Sequence, residues 1–253
     1  MKETPLTLHV EAPGQISRAS ARKPLRRTDR FYLIMSVLAL IIVLAGFFPT
    51  YISPMVTGHF VAKPYVHLHG SMFFLWIVAA IVQPFLISAG NIALHRRAGT
   101  VLGFFAAAMV VMGVAMAIIS ARVDIANGDD VRPKAFLLIP LTDMLLFSLF
   151  AALGVWFRKR PDDHKRLMLL ATVSILPAAF GRLLGNLGLE NAILNVLIMD
   201  SFLFAGIVND YFRGRRFHRV YLFGGAVLLA IDFSRIFLSQ TESWKSIASW
   251  ILT

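Results

Sequence analysis

Cysteine is absent from the 253-residue chain. Its absence removes disulfides, thiolate metal sites, iron–sulfur clusters and cysteine nucleophiles. Charge is scarce as well: Asp, Glu, Lys and Arg make up 15% of the residues, against about 25% in ordinary soluble domains. The acidic sign is the scarcer one, with 14 Asp and Glu against 25 Lys and Arg, for a formal net charge of +11. No Walker-type glycine-rich loop, no His-Glu-x-x-His and no Gly-x-Ser-x-Gly occurs, so the common signs of nucleotide, zinc-protease and serine-hydrolase chemistry are missing. The last long apolar stretch carries no lysine for a retinal Schiff base. A four-histidine pattern deep in facing helices, the mark of haem-b electron carriers, is also missing.

Apolar side chains fill the space that charge leaves. Hydrophobic residues make up 57% of the chain and the mean hydropathy is +0.70. A soluble fold of this size could not hide so much apolar surface, because the fraction buried grows only slowly with mass. Disorder is excluded for the opposite reason, since disordered chains are poor in apolar residues. The composition is that of an integral membrane protein, predicted to be an all-α bundle.

A spanning helix needs about 20 predominantly apolar residues. Seven stretches meet or approach that length: Phe31–Tyr51, Val66–Ala89, Thr100–Ala121, Phe136–Phe157, Leu167–Leu187, Ala192–Phe212 and Tyr221–Leu238. Pro84, Pro140 and Pro177 fall inside them, which lipid tolerates better than water does. The seven-helix transmembrane domain is expected over 31–240.

In a soluble protein a charge of +11 would point to nucleic acid; here the position of the charge matters more. Residues 1–30, 90–99, 158–166 and 213–219 together hold 18 of the 25 cationic residues, while the alternate loops hold few. Positive charge stays on the cytoplasmic side. The N-terminus is therefore expected in the cytoplasm and the C-terminus outside, with no nucleic-acid partner. Residues 1–30 read as a disordered basic tail without a cleavable signal. Its Arg22, Lys23, Arg26, Arg27 and Arg30 suit either contact with anionic headgroups or a purely topogenic role. At the other end, Trp244, Ile247 and Ile251 recur at helical spacing, so 241–253 reads as an amphipathic helix on the outer interface.

Three of the inner helix starts are alike: His95-Arg96-Arg97, His164-Lys165-Arg166 and His218-Arg219. The first two share enough context to suggest a duplicated two-helix unit. Cations there enforce topology and snorkel to lipid phosphate, and Asp162 or Asp163 is positioned to cap the fifth helix. The functional alternative is an inner-face metal or haem site made of His95, His164 and His218 with Asp210.

Ionisable groups at membrane depth are costly and mark candidate sites. Asp143, Arg182, Asp200, Asp232 and Arg235 are of this kind, and Asn186 and Asn195 add amides. At about 1.5 Å per residue, the five charged groups lie roughly 5–13 Å below the outer ends of their helices. Asp232 and Arg235, three apart, are expected to pair, and Arg182 to meet Asp200 or Asp143. The set forms either an ion-pair lattice that only packs helices or a polar cavity open to the outside. His67 and His69 open the second helix, about 200° apart around it, so they could share a metal only if the helix began at or after His69. With His59 and one of the aspartates they suit zinc, copper or iron; hydrogen-bonded interfacial histidines, haem ligation and proton relay are the alternatives.

Several stretches taken together carry a resemblance. They are His67-Leu68-His69-Gly70 with Trp76 and Gln83; Leu94-His95-Arg96-Arg97-Ala98-Gly99; Ile139-Pro140-Leu141-Thr142-Asp143; His164-Lys165-Arg166-Leu167-Met168-Leu169-Leu170-Ala171; Asp200-Ser201-Phe202; and Asn209-Asp210 leading to His218. From His67 to Trp250 the chain resembles a widespread family of bacterial seven-helix inner-membrane proteins, from which no activity carries over. Similar proteins often have tyrosine before the Asp210 equivalent and proline after the His218 equivalent; here Asn209 and Arg219 stand in those places. The His-cation-cation-Leu-Met start is also distantly similar to small membrane proteins of cytochrome oxidase assembly, which implies metal or haem biology.

The expected function is thus an outer-half polar cavity for a transition metal or haem, in redox or cofactor assembly. The alternatives are a proton-coupled transporter or small-ligand-binding protein, and a structural or assembly subunit without a ligand.

Overall fold

The computed structural model describes residues 27–59, 62–214 and 217–253. Residues 1–26, most of the predicted basic tail, lie outside the described residues. Every regular element among the described residues is helical.

Helix α1 (Arg27–Phe47) continues through a π-helical turn, Phe48–Ile52, into the short α2 (Ser53–Val56). Next come α3 (Pro64–Ser88), α4 (Ile92–Ala126), the single turn α5 (Arg132–Phe136) and α6 (Leu138–Trp156). Helices α7 (Pro161–Val173) and α8 (Pro177–Asn186) follow, then α9 (Ala192–Phe212). A second π-helical turn, Val220–Gly224, leads into α10 (Gly225–Leu238), and α11 (Glu242–Leu252) ends the chain. Among the described residues six segments are long and apolar enough to cross a membrane, or seven if α7 and α8 form one crossing. The chain is a multi-pass membrane protein.

Two elements depart from the expected layout. The fifth stretch is broken: α7 and α8 meet at a 43° bend. Proline disfavours helical geometry in the residue before it and cannot donate its own hydrogen bond, so Pro177 starts a new helix instead of lying inside one. Asn91 accepts from the Leu94 amide at 3.1 Å and starts α4 at Ile92. His95, Arg96 and Arg97 therefore occupy the first turns of a helix about 50 Å long, where a loop was expected.

Helix α6 packs on α4 and α7, while α1 packs on α3 and α8. The core lies among these helices and α9, with Phe147, Phe150, Leu146, Leu170, Met109 and Leu203 fully buried. Trp76 of α3 sets its ring edge-on to Phe147 and donates to Thr172 Oγ1 at 3.2 Å, tying α3 to α7. Close helix approach uses glycine, as membrane bundles commonly do. A Cβ on Gly46 would sit 2.3 Å from the Ala179 carbonyl oxygen, so α1 and α8 touch backbone to backbone. The amphipathic α11 closes one end: Trp244 donates to the Lys134 carbonyl at 2.8 Å, and Arg122 to the Leu252 carbonyl at 3.0 Å.

Candidate functional site

Polar groups buried in the bundle collect in two layers. Asp200 and Asp210 belong to different layers and are ten residues apart on α9, about 15 Å along the axis.

The first layer is Asp143 on α6, Asp200 on α9, and Asp232 and Arg235 on α10. All four are buried, Asp200 completely. Arg235 donates through Nη1 to Asp143 Oδ1 and, at 3.3 Å, to Thr142 Oγ1. Its Nη2 lies 2.8 Å from Asp232 Oδ1, off the hydrogen-bond axis. The expected Asp232–Arg235 pair is therefore present, and Arg235 also reaches across to α6. Asp200 on α9 and Asp232 on the adjoining α10 are both buried, and among the described residues neither carboxyl group receives a hydrogen bond. Two bare carboxylates close together in a low dielectric repel strongly, so a buried carboxyl pair without a donor is a candidate proton site. Three carboxyl groups around one guanidinium point the same way.

Not every polar residue anticipated at this depth joins the layer. Arg182 does not meet Asp200 or Asp143. Its guanidinium stacks 4.5 Å from the centroid of the Phe47 ring and donates to the Ala178 carbonyl of its own helix at 3.1 Å. The bend at Ser174–Leu176 turns α8 toward α1, and Arg182 turns with it. Asn186 donates to the Gly46 carbonyl at 3.2 Å and serves the same α1–α8 contact. Asn195 borders a groove of about 330 Å³ with Gly181, Leu184, Glu190, Asn191 and Ala192, apart from the aspartates.

The histidines of the second stretch also separate. Helix α3 starts at Pro64, ahead of both, so His67 and His69 point to different faces. His67 Nδ1 is 2.5 Å from the Tyr51 hydroxyl, and His69 lies against the Phe73 ring at 4.4 Å. Neither shares a partner with His59, which stands in the loop before α3. Among the described residues no three His, Asp or Glu side chains converge in a way that could hold a metal.

The second layer is built around Arg166, whose side chain is 1% exposed. Its Nε and Nη2 each donate to an Asp210 carboxylate oxygen at 2.7 Å, a bidentate pair between α7 and α9. The guanidinium also covers the Tyr221 ring at 5.7 Å, and the Tyr221 hydroxyl meets that of Tyr32 at 3.4 Å. Sequence reasoning treated Arg166 as one more topogenic cation. Its phase on the helix was the available signal, because Asp163, Arg166, Leu167 and Leu170 are buried on one stripe. Asp163 does not cap α7: Arg160 holds the cap position without a side-chain bond, and Asp163 accepts from Arg219 Nη2 at 2.6 Å.

The three inner-face histidines split as well. His95 and His164 face each other with ring centroids 6.3 Å apart. His218 is elsewhere, its Nε2 3.6 Å from Asp163 Oδ1 and its Nδ1 accepting from the Val220 amide at 3.3 Å. Burial, and next the Arg166 charge, push His218 below its ordinary value of 6.5, against the opposing carboxylates of Asp163, Asp210 and Asp162. A group lowered in the folded state supplies stability above its unfolded value and loses it as the pH falls toward the folded one. Thermal stability in detergent is therefore expected to decline as the pH drops below about 6.5. His218→Gln should flatten part of that decline; equal slopes for the two proteins would contradict this account.

Comparison with protein-family models, curated proteins and solved structures finds no match to this chain.

Proposed function

We propose that this chain is a bacterial inner-membrane protein of seven spans, with α7 and α8 as one broken span, that binds and releases a proton at the Asp200–Asp232 pair as the coupling step of a small-solute transporter. The observation that carries this proposal is the presence on the packed helices α9 and α10 of two buried carboxyl groups whose oxygens have no hydrogen-bond partner among the described residues. Arg235 offsets Asp143, so the layer's net charge is set by the protons that the Asp200–Asp232 pair holds. Broken spans are used by transporters to expose backbone polar groups within the protein, and the groove beside Glu190 and Asn195 opens next to one. The solute is not specified by this geometry.

Orientation follows from charge. His95 and His164 meet at the end of the bundle that also carries Arg96, Arg97, Lys165 and Arg219. Concentrated cations mark the cytoplasmic side and attract anionic headgroups, which supports a cytoplasmic N-terminus and an Asp200–Asp232 layer in the outer half. The resemblance to bacterial inner-membrane proteins supports the same assignment.

The test is infrared difference spectroscopy on the detergent-purified protein across a pH step. A protonated-carboxyl C=O band should be present and should shift or disappear in Asp200→Asn and in Asp232→Asn, while Asp130→Asn leaves it unchanged. A spectrum without such a band, or one identical in all three variants, would overturn the proposal.

A further inference from the structure

The His95–His164 pair lies outside the proton layer and has the features of a metal site. His164 is held by a hydrogen bond between its Nδ1 and the Gly154 carbonyl at 2.8 Å. Because a carbonyl can only accept, Nδ1 carries the proton and Nε2 keeps its lone pair. Nδ1 of His95 is buried and has no hydrogen-bond partner among the described residues. Each imidazole thus has one uncommitted nitrogen, and that of His164 is oriented by a main-chain carbonyl on the other. Metal-binding histidines show this pattern, in which the carbonyl fixes the tautomer and raises the basicity of the ligating atom.

Spacing narrows the ion. The ring centroids are 6.3 Å apart and the planes 85° apart. With metal–nitrogen bonds of about 2.0–2.1 Å, two imidazoles on nearly opposite sides of one ion have centroids about 6 Å apart, whereas a tetrahedral angle brings them closer. Low, nearly linear coordination by two neutral nitrogens suits a closed-shell monovalent ion. Charge agrees with that choice. Arg96, Arg97 and Lys165 flank the histidines in sequence, and the nearby Asp162 is already paired with Lys165 at 2.8 Å. A divalent ion would find no anionic ligand, and none of the described residues completes a three-ligand set. Copper(I) is the closed-shell monovalent ion of the first row, and imidazole suits copper. Both histidines are half-buried at the end of the bundle, which leaves a path for entry.

We infer that His95 and His164 form a two-coordinate site for copper(I) at the cytoplasmic end of the bundle, distinct from the aspartate layer. The nitrogens meet the ion without a change of protonation, so binding releases no proton and transfers no electron.

The experiment uses full-length protein without a polyhistidine tag, purified in mild detergent and titrated anaerobically with copper(I) against a chromophoric copper(I) chelator. One equivalent is expected to be withheld from the chelator, and X-ray absorption should report two nitrogen neighbours at low coordination number. His95→Gln and His164→Gln should each weaken retention by roughly 100-fold or more, since even lost supporting contacts cost 10–100-fold; His67→Gln should not. The inference is overturned if wild-type protein withholds no copper, if absorption shows four or more neighbours, or if the His95 and His164 variants retain copper as wild type does. The absorption measurement is made on wild-type protein and so decides the matter even if a variant fails to fold.

Discussion

Arg235→Leu is expected to destabilise the protein by about 3–5 kcal/mol, the usual cost of removing one partner from a buried ion pair. The size of the effect comes from what is left behind. Asp143 loses its only cation, and Asp232 loses the guanidinium 2.8 Å away. Among the described residues nothing else within the layer carries positive charge, so the carboxyl groups must either stay ionised in a low dielectric or take up protons at a cost. Removing both members of a buried pair is far milder than removing one. Arg235→Leu combined with Asp143→Leu should therefore recover most of the loss. Thermal denaturation in detergent, followed through the four tryptophans, measures both. A single variant within about 1 kcal/mol of wild type, the range of exposed pairs, would mean that Arg235 is solvated and that the layer is not dry.

Arg166→Leu should cost a similar amount, about 3–5 kcal/mol by the same reasoning, because it leaves Asp210 buried and unpaired. Both guanidinium–carboxylate bonds are 2.7 Å and both side chains are almost completely covered. Arg182→Leu is the control. Its guanidinium stacks on Phe47 and donates to a carbonyl of its own helix, with no carboxylate attached. Losing an exposed cation–π contact costs about 0.5–1 kcal/mol. The ranking Arg166 far above Arg182 is the reverse of what their positions along the chain suggest, since Arg182 lies well inside a hydrophobic stretch and Arg166 at the edge of one. Equal effects for the two substitutions would show that depth in the sequence, not the partner, sets the cost.

That contrast marks how far the sequence alone could be read. The spans follow from composition, because lipid forces every backbone group into a helix and leaves long apolar runs as the visible result. The Asp232–Arg235 pair was legible because its members are one helical turn apart. The partners of Arg182 and Arg166 were not, since they depend on rotation of one helix against another. A break of three residues before Pro177 was enough to swing Arg182 away from the aspartates toward α1. The meeting of His95 with His164 depended on α4 beginning eight residues earlier than its apolar run, through the Asn91 cap. His67 and His69 show the converse: once α3 is known to start at Pro64, helical geometry alone sends them to different faces.

The contact of Gly46 with Ala179 and Asn186 has a consequence for how the bundle is made. Asn186 donates to a carbonyl 140 residues upstream. At about 5–20 residues per second of synthesis, α1 resides in the bilayer for roughly 7–30 s before its partner leaves the ribosome. During that interval the shallow face around Gly46 meets only lipid, or whatever insertion factor guards it. Final closure of the bundle is thus a late event in biogenesis, and α1 is the segment kept waiting.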